Sequence, residues 1–179
     1  MGTASTMGSL AEALGMVLPG TAGTPAPDSR LLQAAHESGI RIVDMVSEDL
    51  KPTDIMTLGS FTNAIVALGA IGGSTNAVVH LLAIAGRLGL NLTLDDFDRI
   101  GSRIPLLVNL QPAGEFLMED LFRAGGLAAV MSEVEKHLDR SAITVTGKPY
   151  VDSLKGAEIY DTDVIKKYES PLQPEAGIA

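Results

Sequence analysis

Cysteine and tryptophan are both absent from the 179 residues, and aromatic side chains make up only 4% of them. Without cysteine this chain forms no disulfide, offers no thiolate nucleophile, and binds neither zinc nor an iron–sulfur cluster through sulfur. So few aromatic rings leave no stacking platform for single-stranded nucleic acid. Positive charge is scarce too: 13 Lys and Arg stand against 22 Asp and Glu, a formal net charge of −9. That balance disfavours nucleic acid and anionic membrane as partners, because both reward basic patches. What the chain does have is apolar sequence, 46% of its residues, enough for a sizeable core in one domain or slightly more.

The first residues lack the basic stretch and apolar run of a secretory signal, which predicts a cytoplasmic protein. Between Asp54 and Arg87 no charged residue occurs, but Gly72-Gly73-Ser74-Thr75-Asn76 interrupts that stretch. Two buried helices joined by a tight turn explain it better than a membrane span. Elsewhere the pattern is helical. A small-residue loop leads into a first helix ended by Leu18-Pro19-Gly20. Asp28 caps a helix reaching about Ser47, with Gly39 as a break point, and Thr93 caps another with Asp95 and Asp96 in its first turn. The clearest strand is Ala142-Ile143-Thr144-Val145-Thr146, with a second, weaker one at Leu106-Leu107-Val108. The fold expected is a helix-rich α/β piece.

The Gly72–Asn76 turn is the most suggestive chemical feature. Two glycines allow close backbone approach, and the following helix start offers unpaired N–H groups for a carboxylate or phosphate. A plain helix–helix turn with a Ser/Thr cap fits the same residues. His80, among Val78, Val79, Leu81 and Leu82, reads as a core histidine, and neither His36 nor His137 joins a nucleophile in a triad. Asp95-Asp96-Phe97-Asp98 reads as helix capping and solvated charge, lacking the glycine and distant glutamate of a calcium loop.

Taken together, several segments resemble the dihydroxy-acid dehydratase/phosphogluconate dehydratase family. They are Met1-Gly2-Thr3-Ala4-Ser5-Thr6-Met7, Glu12-Ala13-Leu14-Gly15-Met16, Leu18-Pro19-Gly20, Lys51-Pro52-Thr53-Asp54-Ile55, Gly72 to Ala77 with His80-Leu81, and Leu92 to Ile100. Met118-Glu119-Asp120-Leu121, Thr144 to Lys148 and Ser170-Pro171-Leu172 continue the match in order. The Gly-Thr-Ala-Ser-Thr opening and Ala26-Pro27-Asp28-Ser29-Arg30 are more similar to the sugar-acid (aldonate) branch. The branched-chain amino-acid enzymes usually show Tyr-Thr-Ala-Asn-Thr at the opening.

The resemblance implies loss of water from a 2,3-dihydroxy acid to give a 2-keto-3-deoxy acid, in a homo-oligomer acting on a small hydroxy acid. It further implies an iron–sulfur cluster as Lewis acid on the 3-hydroxyl, Mg²⁺ on the carboxylate and 2-hydroxyl, and a serine base. The family's cluster cysteine falls just before the Met1–Thr6 segment, and its serine base falls in a β-barrel domain beyond Ala179. The chain is therefore expected to be the C-terminal part of the family's N-terminal α/β domain. It would hold no catalytic or metal-ligating residue and be inactive alone. Three regions are expected: a loop and first helix over about 1–25, a helical body over 26–140, and a strand and linker toward the barrel over 141–179. Gly2, Thr3, Ser5 and Thr6, with Ser74, Thr75 and Asn76, are expected near the cluster without ligating it. Dihydroxy-acid dehydratase of branched-chain synthesis is the alternative activity. A stand-alone helical interaction domain is the alternative class, and it predicts little exposed apolar surface, whereas a part of a larger enzyme leaves an apolar wall open.

Overall fold

A computed structural model describes residues 1–175. Its axis is α4 (Leu58–Ile71), an uncharged helix that is buried on every side from Asn63 onward. Phe61, Ala64, Val66, Ala67, Leu68 and Ala70 are fully buried. Around it pack α1 (Thr3–Ala13), α5 (Asn76–Arg87), α6 (Leu94–Gly101) and α8 (Gly126–Glu133). Thr57 and Ser60 cap its start reciprocally, the Thr57 N–H donating to Ser60 Oγ at 2.9 Å. Buried Asn63 ties it to the segment after α8: its Nδ2 donates to the Asp139 carbonyl at 3.2 Å, and its Oδ1 accepts from the Asp139 N–H at 2.7 Å. One core cluster gathers residues from Leu10 to Ile165 around this axis.

Helix α2 (Ser29–Ser47) behaves differently. Asp28 caps it as expected, accepting from the Arg30 N–H at 2.9 Å, and the helix runs unbroken through Gly39. Yet only Met45 is buried, while Leu32 and Val46 are 77% exposed and Val43 is 64% exposed. Met45 packs with Ile55 and Val145. Arg41 adds a polar tie, its Nε donating to the Val145 carbonyl at 2.5 Å while its Nη1 holds Glu48 at 2.7 Å. Short α3 (Pro52–Ile55) and α7 (Met118–Arg123) complete the α-helices of the described residues, and two 3-10 turns lie at Glu135–His137 and Tyr150–Leu154.

Three expectations need correction. The Gly2–Thr6 segment is no loop: α1 already begins at Thr3 and ends at Ala13, before Leu18-Pro19-Gly20. It stops there because Gly15 turns the chain at φ +78°, where a Cβ would lie 2.6 Å from the Ile143 carbonyl oxygen. Ala142–Thr146 is not a strand but a tight turn. Ile143 bridges Pro149 alone, the Thr144 N–H donates to the Lys148 carbonyl at 3.0 Å, and the Thr144 and Thr146 hydroxyls lie 2.8 Å apart. Threonine hydroxyls offered this backbone local partners in place of a ladder. Leu106–Val108 likewise makes only single bridges, Leu106 to Gln173 and Val108 to Ile165. The helix-rich half of the expected α/β class is observed, and among the described residues β structure is limited to such bridges.

Candidate functional site

The two expected segments, some seventy residues apart in sequence, meet in space. Gly2 is extended, at φ −96° and ψ 179°, and feeds the chain into α1. Ser5 Oγ accepts from the Gly2 N–H and donates to the Gly2 carbonyl, both at 3.2 Å. At the far end of α4, Gly72 at φ 60° reverses the chain into α5. Gly73 permits the close approach that follows, since a Cβ there would lie 2.8 Å from Thr6 Cγ2 and 2.6 Å from Leu68 Cδ1.

Four side chains then join the helix starts. The Ser74 N–H donates to Thr6 Oγ1 at 3.1 Å, and Thr6 itself is fully buried. Thr3 Oγ1 lies 3.2 Å from Ser74 Oγ, and Asn76 Nδ2 donates to Thr3 Oγ1 at 2.9 Å. The Asn76 N–H reaches Ser74 Oγ at 3.4 Å. Gly2, Thr75 and Asn76 are exposed at the rim, and Thr3, Ser5 and Ser74 are half-buried. Thr75 makes no side-chain hydrogen bond among the described residues. The positive ends of two helix dipoles thus lie side by side on one surface, an arrangement that favours negative charge.

Other expected residues are placed otherwise. His80 is exposed rather than core, one turn after Asn76 on α5. His36 is exposed on α2. Asp96 accepts from the Thr93 N–H at 3.0 Å and pairs with Arg99 at 2.6 Å, which holds its carboxyl below the usual range. Among the described residues no three His, Asp or Glu side chains gather as a metal site. Nor is any helix long and apolar enough to cross a membrane.

Glu12 belongs to the Glu12–Met16 segment of the family resemblance, but its sequence context assigned it no role. It is buried on α1, with Oε1 accepting from the Gly20 N–H and Oε2 from the Ala22 N–H, both at 2.9 Å. Burial pushes its carboxyl up, and the Ala22, Gly20 and Thr21 amides pull it back. Tyr150 is pushed up by burial and by the charge of Glu12. The one available signal was an acid on the apolar side of a small-residue helix, followed by a glycine-rich loop needing an acceptor.

The sequence profile of the dihydroxy-acid/6-phosphogluconate dehydratase N-terminal region matches residues 1–153. The chain belongs to this dehydratase family. It is 51% identical over 178 residues to a putative dehydratase of Rhizobium meliloti, covering 99% of this chain and 31% of that protein. It is 52% identical to the L-arabinonate dehydratase of Rhizobium leguminosarum over 94% of this chain and 29% of that one. Against the dihydroxy-acid dehydratase of Methanothermobacter thermautotrophicus it is 46% identical, covering 99% of this chain and 32% of the relative. The chain therefore spans about a third of the length of the curated relatives it matches.

Proposed function

We propose that this chain forms the helical wall of a hydro-lyase that converts a 2,3-dihydroxy sugar acid to a 2-keto-3-deoxy acid. The observation carrying this reading is the junction of α1 and α5. The two segments with the strongest family character build one hydroxyl- and amide-lined surface at two helix starts. Such a surface suits the carboxylate of a hydroxy acid or the negative charge of a thiolate-bound cluster. The residues present do not themselves fit an iron–sulfur cluster or Mg²⁺. Cysteine is absent, and no acid–histidine cluster forms among the described residues. The part assigned to this chain is to orient and neutralise, through Ser5, Thr75, Asn76 and the amides around them.

The sugar-acid branch is preferred over the branched-chain enzyme because Ser5 stands where the latter usually carries asparagine. The open apolar face of α2 supports a part of a larger assembly, built with more of the same polypeptide and as a homo-oligomer, over a self-sufficient helical interaction domain. The test uses the full-length protein with a panel of aldonates and dihydroxyisovalerate. Turnover of aldonates alone is expected, and turnover of dihydroxyisovalerate alone rejects the sugar-acid assignment. Ser5→Ala and Thr75→Ala in that protein are expected to lower turnover or bound iron. Unchanged values for both variants remove these residues from the site.

A further inference from the structure

At the opposite end of α4 a concavity opens between α4, α6 and the turn after α8, with a volume of about 190 Å³. Thr62, Arg99, Ile100, Arg103, Ile104 and His137 line it, and no carboxylate does. Thr62 precedes Gly72 by ten residues, or about 15 Å along the helix, so this concavity is separate from the α1–α5 junction.

Its charge runs against that of the chain. On a protein of net charge −9, Arg99, Arg103, Lys136 and His137 gather in one place. The nearby acids are already engaged. Asp96 holds Arg99 at 2.6 Å, Glu135 holds Arg140 at 2.6 Å, and Glu133 accepts from the Tyr168 N–H at 2.8 Å. Among the described residues Arg103 and Lys136 make no ion pair. Lys136 Nζ instead lies 3.5 Å from the centre of the Tyr168 ring.

His137 is held in place rather than free to turn. Its Nε2 lies 3.1 Å from Tyr168 Oη, and the two rings stack at 5.8 Å. Burial first, then the charges of Lys136 and Arg103, push its imidazole below the ordinary histidine range. Arg103 and Lys136 therefore face His137 without an ion-pair partner of their own, and Ile100 and Ile104 supply an apolar floor that lowers the local dielectric.

We infer that this concavity binds a phosphate-type oxyanion, with Arg103 and Arg99 as guanidinium donors and His137 as a third contact. A planar guanidinium matches two oxygens of such a group at once, and charge-assisted bonds of this kind are the strong ones. Free phosphate and a small phosphate monoester share this chemistry. The inference does not rest on the dehydratase reading.

The experiment titrates the 179-residue chain at constant ionic strength with inorganic phosphate and, separately, with glycerol 3-phosphate, following the histidine ring protons by NMR. His36 and His80, both exposed, serve as internal controls. The expected result is a saturable shift confined to His137 and a rise in its pKa, because a bound dianion offsets Lys136 and Arg103. Arg103→Ala, on an exposed side chain, should weaken binding about tenfold, the loss of one charge-assisted contact. Tighter binding of the monoester assigns the site to a phosphorylated metabolite, and tighter binding of phosphate assigns it to the free ion. Linear shifts common to all three histidines, or an affinity unchanged in Arg103→Ala, overturn the site.

Discussion

Helices α2 and α4 are both rich in Leu, Ile and Val, yet the protein treats them in opposite ways. From Asn63 to Ile71 the side chains of α4 are sealed among its neighbours, whereas α2 turns Leu32, Val43 and Val46 to the outside and holds on through Met45 and Arg41. What separates them is charge. Nothing on α4 requires water, so burial on all sides costs only its few polar groups, and Asn63 is satisfied by Asp139. Arg30, Glu37 and Asp44 on α2, and Glu48 at its end, do require water, which keeps one flank exposed. Its apolar flank is then left to whatever else the protein brings against it. A hydrophobic stripe states that a surface seeks cover, without stating which surface supplies it.

This contrast can be tested from its strongest consequence downward. Phe61→Ala on α4 should cost about 3–5 kcal/mol in urea unfolding, as expected for an aromatic side chain with no exposure. Gly73→Ala should cost about 1–3 kcal/mol, because the new methyl must push against Leu68 and Thr6. If the α1–α5 junction is a soft contact instead, this variant will unfold at the wild-type midpoint.

Glu12→Gln places an NH2 group against one of two backbone donors and should cost about 1–3 kcal/mol. It carries a pH signature as well. The folded Glu12 carboxyl is raised above its ordinary value of 4.5, so the folded state binds the proton more tightly than the unfolded chain. Stability from this group is full below pH 4.5 and falls as pH rises through the raised value. The variant should lose that decline, and a stability curve parallel to wild type across this range would refute the assignment. Smallest of all, Val43→Ser and Leu32→Ser on α2 should change stability by no more than about 0.5 kcal/mol. The same changes should reduce self-association seen by light scattering. A loss comparable to that of Phe61→Ala would mean the α2 face is already covered.

Much of this was legible in the residues. Asp28 and Thr93 announce helix starts by capping chemistry, and the uncharged stretch after Asp54 reads as buried helices around a glycine turn. The candidate site was legible as two segments, Gly2–Thr6 and Ser74–Asn76. Their hydrogen bonds to each other were not, since Thr3, Thr6 and Asn76 carry no pattern that names a partner. The β-branched run at Ala142–Thr146 misled for a related reason. Strand propensity describes a residue that fits a pleated surface, and here Gly15 and Lys148 supplied turn contacts in place of a neighbouring strand. His80 misled through its apolar neighbours, because the side of α5 that faces the core is set by α1 and α4.

The sequence by itself determined the absence of sulfur chemistry, the acidic surface, the helix boundaries set by caps and glycines, and the family. All of these depend on local residue types and their order. Only the tertiary structure decided that two helix starts share one surface, that α2 faces outward, that Glu12 braces a loop, and that scattered cations around His137 form one concavity. Those outcomes depend on close packing between residues far apart in the chain. Packing selects among many arrangements that local preferences leave equal.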